Sequence, residues 1–155
     1  MLTLQKPFAE GKMRILLVDD DPIILRAMQR VLEGVGHEVV TSSSGSEAVA
    51  TLTTQAFDVM VSDLQMPSLD GLSLLRTVRE HDINLPVVLM TGNPDLKTAA
   101  DAVEYGAFQY LIKPVLTADL VSVVEHAATS GKMARQRGEF SKETSTGKFC
   151  VSEPL

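Results

Sequence analysis

Residues 13–22 read Met13-Arg14-Ile15-Leu16-Leu17-Val18-Asp19-Asp20-Asp21-Pro22. Four consecutive β-branched or aliphatic residues without polar alternation are the pattern of a strand covered on both faces, as in parallel sheets. The run ends abruptly in three carboxylates. Asp21-Pro22 is a good helix start, an N-cap acceptor followed by proline at the first helical position. Beyond it Ile23, Ile24, Ala27, Met28, Val31 and Leu32 recur at the spacing of one helical face, and Gly34 or Gly36 would stop the helix.

That strand–loop–helix unit recurs five times. The apolar runs are Met13–Val18, Glu38–Thr41, Phe57–Val61, Pro86–Met90 and Ala107–Ile112. Amphipathic segments follow each one, marked by Ala48, Val49 and Leu52, by Leu72, Leu74, Leu75 and Val78, by Leu96, Ala99, Ala100 and Val103, and by Leu120, Val121, Val123, Val124 and Ala127. Alternation with short connections predicts right-handed crossovers and a parallel sheet with helices on both faces, an α/β (βα)5 domain over residues 13–131. Residues 1–12 form a short N-terminal extension. After Gly131 the sequence turns polar and loses its periodicity, so residues 132–155 are expected to be a linker or tail, the candidate start of a truncated output region.

Composition narrows the class. The 155 residues are 45% hydrophobic and 22% charged, which suits one folded domain and not a disordered chain. One cysteine, Cys150, cannot form an internal disulfide. The N-terminus has no signal-peptide core, and no stretch approaches the ~18 apolar residues of a membrane helix, so a cytoplasmic protein is expected. The net charge of −6 disfavours nucleic acid or an anionic membrane as the main partner.

In an open α/β sheet, ligands bind beyond the carboxyl ends of the strands. Those ends lead into Asp19, Asp20 and Asp21, into Asp63, into Thr91, and into Lys113-Pro114. The second strand is followed only by serines. Asp21 is explained by its capping role and Thr91 alone is unremarkable. Together, however, one rim gathers carboxylates, a hydroxyl and an ammonium. Such carboxylates suit a hard divalent cation, Mg2+ in preference to Ca2+, and the set forms a clamp for a phosphoryl group with an aspartate as nucleophile. No GxxxxGK[ST] or GxGxxG loop offers a nucleotide cradle. His37, His81 and His126 are scattered away from the rim and are expected at the surface.

The motifs LLVDDDP, VMVSDLQMPSLDG, VLMTG and YLIKP, in this order and spacing, closely resemble the receiver domain of two-component response regulators over residues 13–130. The resemblance implies a flavodoxin-like sheet of order 2-1-3-4-5. It implies Asp63 as phosphoacceptor from the phosphohistidine of a sensor histidine kinase or phosphotransfer protein. It places Mg2+ on Asp19, Asp20, Asp63 and the backbone carbonyl of Gln65. Lys113 pairs with the acceptor, Thr91 is the switch hydroxyl, Tyr110 the switch aromatic, and the Lys113–Pro114 bond is cis. Gln65 and Asn93 flank the site at the positions that tune phosphoryl lifetime. The domain is then a phosphoacceptor that takes part in its own phosphorylation and dephosphorylation, not an enzyme. Its output is a changed surface from Pro94 to Val115, on the fourth helix, fifth strand and fifth helix, read by an output domain or target protein. The resemblance also allows a homodimer through that face. Two alternatives stand beside it: a Mg2+-dependent haloacid-dehalogenase-like phosphatase with Asp19 as nucleophile, weakened by Ile23 at its T/V position and by no later acidic pair, and a receiver-fold module without phosphorylation.

Overall fold

Each apolar run becomes a strand because hydrophobic side chains leave on both sides of it, and only a sheet sandwiched between helices can bury both sets. The computed structural model describes residues 11–144. In chain order its elements are β1 (Arg14–Val18), α1 (Pro22–Gly34), β2 (Glu38–Ser42), α2 (Gly45–Leu52), β3 (Val59–Asp63), α3 (Gly71–His81), β4 (Val87–Thr91), α4 (Leu96–Glu104), β5 (Gln109–Ile112) and α5 (Thr117–Thr144). The five strands are parallel in the order β2-β1-β3-β4-β5, as expected.

The two faces divide with period two along the strands. Ile15, Leu17, Val59, Val61, Val88 and Met90 pack with α1 and α5 through Leu25, Met28, Leu32, Leu120 and Val124. Leu16, Val18, Met60, Val87 and Leu89 pack the other way, against Ala48, Leu74, Leu75, Val78 and Ala102 from α2, α3 and α4. Because chain order reverses at β1, the loops after β1 and β3 splay apart and leave a crevice between their carboxyl ends. The helices start where side-chain acceptors meet their first free N–H groups: Asp21, Ser44, Asp70 and Asp95 each cap one.

The structure departs from the sequence reading in four places. α5 does not end near Gly131 but continues to Thr144. Residues 132–137 are mostly good helix formers, and their polarity marks a helix leaving the core. Gly131 serves close approach, since a Cβ there would sit 2.6 Å from Pro86 Cγ. Arg135 on this extension pairs with Asp82 at 2.8 Å. Second, His37 is buried: its Nδ1 accepts from the Met13 N–H and its Nε2 lies 2.7 Å from Glu125. Third, α1 buries Leu25, Met28 and Leu32, leaving Ile23 and Ala27 exposed. Fourth, Leu96 and Val103 do not form a core stripe. They are 87% and 74% exposed, and α4 buries only Ala102. Residues 1–10 and Cys150 lie outside the described residues.

Two glycines make the packing argument testable. A Cβ on Gly71 would lie 2.7 Å from both the Asp63 carbonyl oxygen and Leu64 Cα, backbone atoms with no room to give, whereas one on Gly34 would meet nothing within 4 Å. Gly71→Ala should therefore destabilise the domain by about 1–3 kcal/mol in urea unfolding. Gly34→Ala, at the end of α1, should be neutral or slightly stabilising. Equal midpoints for the two variants would contradict the close packing of α3 under β3.

Candidate functional site

The sheet brings the polar strand ends to one rim. Asp19 directly follows β1 and Asp63 is the last residue of β3, on neighbouring strands in which Val18 pairs with Ser62. Thr91 ends β4, and the Lys113 N–H following β5 donates to the Thr91 carbonyl at 2.8 Å. Lys113 Nζ then reaches across the rim, 3.1 Å from Asp19 Oδ2 and 3.2 Å from Asp63 Oδ1. One oxygen from each of Asp19, Asp20 and Asp63 falls within 4.8 Å of the others. Residues 44 and 50 positions from Asp63 thus converge on it through topology alone.

The environments of these carboxylates differ. Asp19 and Asp63 are buried, while Asp20 is exposed at the mouth. Asp19 Oδ1 also accepts from the Asp21 N–H at 2.9 Å, which fixes the carboxylate toward the crevice. Loss of water raises its pKa above the usual aspartate value, and the neighbouring Asp63 pushes the same way; the bonds from Asp21 and Lys113 offset this only in part. For Lys113, burial opposes the charge, but the hydrogen bond from its ammonium to Asp19 and the fields of Asp19 and Asp63 outweigh it and raise its pKa. Lys113 is therefore a fixed cation at neutral pH. Three carboxylates nevertheless face one ammonium, and that imbalance is what a divalent cation would relieve.

The remaining expected residues sit nearby without joining this cluster. The Thr91 side chain is buried, and its Oγ1 accepts from the Asn93 N–H at 3.0 Å. Tyr110, paired with Leu89 across the sheet, packs against the cluster under α2, α3 and α4. Its Oη is buried and makes no hydrogen bond among the described residues, so the ring holds its place by packing. Gln65 is exposed in the β3–α3 loop, and its N–H points at Asp63 Oδ1 from 3.5 Å. The Lys113–Pro114 peptide is cis. Gly71 escaped the sequence reading as part of the site. Its N–H donates to the Leu64 carbonyl, and its missing side chain lets α3 close on the Asp63 backbone. The Asp70-Gly71 pair was the only signal in the sequence.

The sign of the electrostatics gives a direct test. A carboxyl whose folded pKa is raised binds its proton more tightly in the folded state, so Asp19 loses stability as pH rises from 3.8 through its folded value. The cost is carried wherever Asp19 is ionised in the fold. Asp20→Asn removes one repelling charge from the mouth without touching a hydrogen bond to Lys113. In chelated buffer at pH 7 the variant should melt a few degrees higher than the parent, and Mg2+ should raise the parent's Tm more than the variant's. Identical melting and identical Mg2+ response would take Asp20 out of the cluster.

Comparison with known proteins agrees with this fold. The family model for the response regulator receiver domain matches residues 15–125. The DNA-binding transcriptional regulator NtrC of Klebsiella pneumoniae is 41% identical over 111 residues, covering 72% of this chain and 24% of NtrC. A response regulator receiver domain protein from Clostridium thermocellum superposes with a TM-score of 0.74 at 36% identity, over 78% of this chain and 98% of that one. NtrX from Brucella abortus, crystallised with ADP, gives 0.78 at 30% identity, over 93% of this chain and 32% of its own. The chain spans about a quarter of the length of the curated relatives it matches. With the five-stranded order, the acidic rim and the family match in agreement, this chain belongs to the response regulator receiver domains.

Proposed function

We propose that the domain is switched by a phosphoryl group transferred to Asp63 from the phosphohistidine of a sensor kinase or phosphotransfer protein. The observation that carries this reading is the placement of Asp63 Oδ1 3.2 Å from Lys113 Nζ, within a cluster that also holds Asp19 and Asp20. The phosphatase alternative gives way to the family match, and its nucleophile Asp19 is instead bonded to Lys113 and the Asp21 N–H.

In this reading a carboxylate oxygen of Asp63 attacks phosphorus in line, the P–N bond breaks, and the imidazole leaves with a proton. Mg2+, held by Asp19, Asp20, Asp63 and the Gln65 carbonyl, would neutralise the phosphoryl oxygens. Hard anionic oxygens few in number fit that ion, which keeps several waters. Lys113 stays beside the site and transfers its ion pair to a phosphoryl oxygen. The acyl phosphate carries close to two negative charges where the free carboxylate carried one, and its phosphoryl oxygens demand donors. Thr91 is the next hydroxyl along the rim; turning toward the phosphoryl group, it makes room into which Tyr110 moves. Tyr110 can move at small polar cost because its hydroxyl has no hydrogen bond to lose among the described residues.

The readout is the face formed by α4, β5 and α5. Leu96, Val103, Ile112 and Leu116 expose large apolar side chains there, 57–87% accessible, which suits a target protein, an output domain or a second copy. The continued α5 is the natural connection to an output region, and DNA contact, where it occurs in relatives such as NtrC, would lie outside this domain. Among the described residues no helix is long and apolar enough to cross a membrane, and we place the protein in the cytoplasm.

Acetyl phosphate with Mg2+ should add one phosphoryl group per chain, mapped by borohydride trapping to Asp63, and Asp63→Asn should abolish it. Labelling of Asp19 would revive the phosphatase reading. No labelling of the folded parent would mean a receiver fold used without phosphorylation.

A further inference from the structure

We infer that Arg79 is a positioning residue that anchors the C-terminal end of α4, so that the helix swings from its N-terminal end when the switch operates. The inference deepens the proposed function and rests on it for the motion; the anchor itself is a property of the unphosphorylated fold.

The two ends of α4 are held unequally. Its nine residues bury only Ala102, close to the C-terminal end, while Leu96 at the first position is the most exposed large apolar residue of the described chain, at 87%. The N-terminal end is held by its own cap, with Asp95 accepting from the Thr98 N–H, and by the exposed Gly92-Asn93-Pro94 connection to Thr91. Among the described residues no side-chain hydrogen bond ties that cap to another element.

The C-terminal end is fastened from outside. Arg79 lies in the last turn of α3, and its guanidinium spreads over three carbonyls. Nη1 donates to Leu85 at 2.6 Å and to Asp82 at 3.3 Å, and Nη2 donates to Gly106 at 2.8 Å. Gly106 closes α4: its φ is +87°, its N–H donates to the Val103 carbonyl, and the Ala107 N–H donates to Ala102. A side chain at 106 would be strained and would press on Arg79 Nε at 3.1 Å, so the glycine and the guanidinium are fitted to each other. The adjacent Tyr105 ring lies 5.1 Å from the Arg76 guanidinium, a second tie between the same two helices. Arg79 thereby links the α3–β4 connection to the α4–β5 turn. Only a planar fork with several fixed donors spans these acceptors at once; an ammonium is a single point of contact.

A helix fixed at one end and loosely packed along its length moves as a lever. Displacement of Thr91 pulls at Gly92–Asp95, the loose end, and its effect should fade toward Gly106. The exposed Leu96 would then travel farthest and Val103 least, so the anchor decides which part of the readout face changes.

The test is residue-resolved amide exchange and chemical shift of the full chain, with and without beryllofluoride and Mg2+. In the parent, beryllofluoride should shift Asn93–Lys97 strongly and leave Tyr105–Ala107 nearly unmoved. In Arg79→Gln, amide exchange at Gly106 and Ala107 should rise about tenfold or more without any beryllofluoride, as expected for a local opening released from its tie. On adding it, the response should spread to Tyr105–Ala107, while acetyl phosphate still labels Asp63. Arg79→Lys, which keeps the charge but not the fork, should fall between the two and carries the test if Arg79→Gln does not fold. Unchanged exchange at Gly106 and Ala107 in the variants, or parent shifts at Tyr105–Ala107 as large as those at Asn93–Lys97, would overturn the anchor. Failure of Asp63 labelling in the parent would instead remove the proposed phosphoryl switch and leave the metal-free exchange result to judge the anchor by itself.

Discussion

The Lys113 ammonium bridges the carboxylates of Asp19 and Asp63, at 3.1 and 3.2 Å, and the rest of the rim is organised around that bridge. Two buried carboxylates this close would repel one another strongly in a medium of low polarity. One cation between them makes the arrangement tolerable, and a third carboxylate, Asp20, stands at the exposed mouth. The site is therefore left electrostatically unsatisfied by the chain's own residues. Such a cluster of carboxylates could hold a metal ion.

That tension can exist only because the sheet beneath it is rigid. β3 and β4 are buried along their whole length, and every layer of β1, β3 and β4 is filled from both faces. Interiors packed to this degree transmit displacement instead of absorbing it. The helices around the sheet are not held equally. α1 and α3 bury three or four residues each, whereas α4 buries one and leans on a guanidinium from its neighbour. Local stability is lowest where burial is lowest. The least buried helix thus follows the strand that ends in Thr91, while Asp63 ends a strand buried along its whole length.

Much of this was legible in the chain because it depends on local chemistry. Ile15 to Val18 have the pattern of a doubly covered strand, Asp21-Pro22 is a good helix start, and polar residues directly after strands in a parallel sheet share one rim. Where the sequence reading failed, the deciding partner was remote. His37 resembled a surface histidine because Met13 and Glu125, which hold it, are 24 and 88 residues away. Leu96 and Val103 kept perfect helical spacing, but periodicity says only that a helix has an apolar face, not that something covers it. The stretch after Gly131 loses its apolar periodicity, yet α5 runs on through it, and Gly131 lets the helix pass close to Pro86.

The sequence by itself determined the class of fold, the order of its elements, the chemical types gathered at the strand ends and, through four spaced motifs, the family. These follow from period, capping and residue type, all of which act over a few positions. Only the tertiary structure decided how the charges are paired, which helix is loosely held, and which arginine ties it down. Those are matters of distance between residues far apart in the chain, and electrostatic energy and close packing depend on that distance alone.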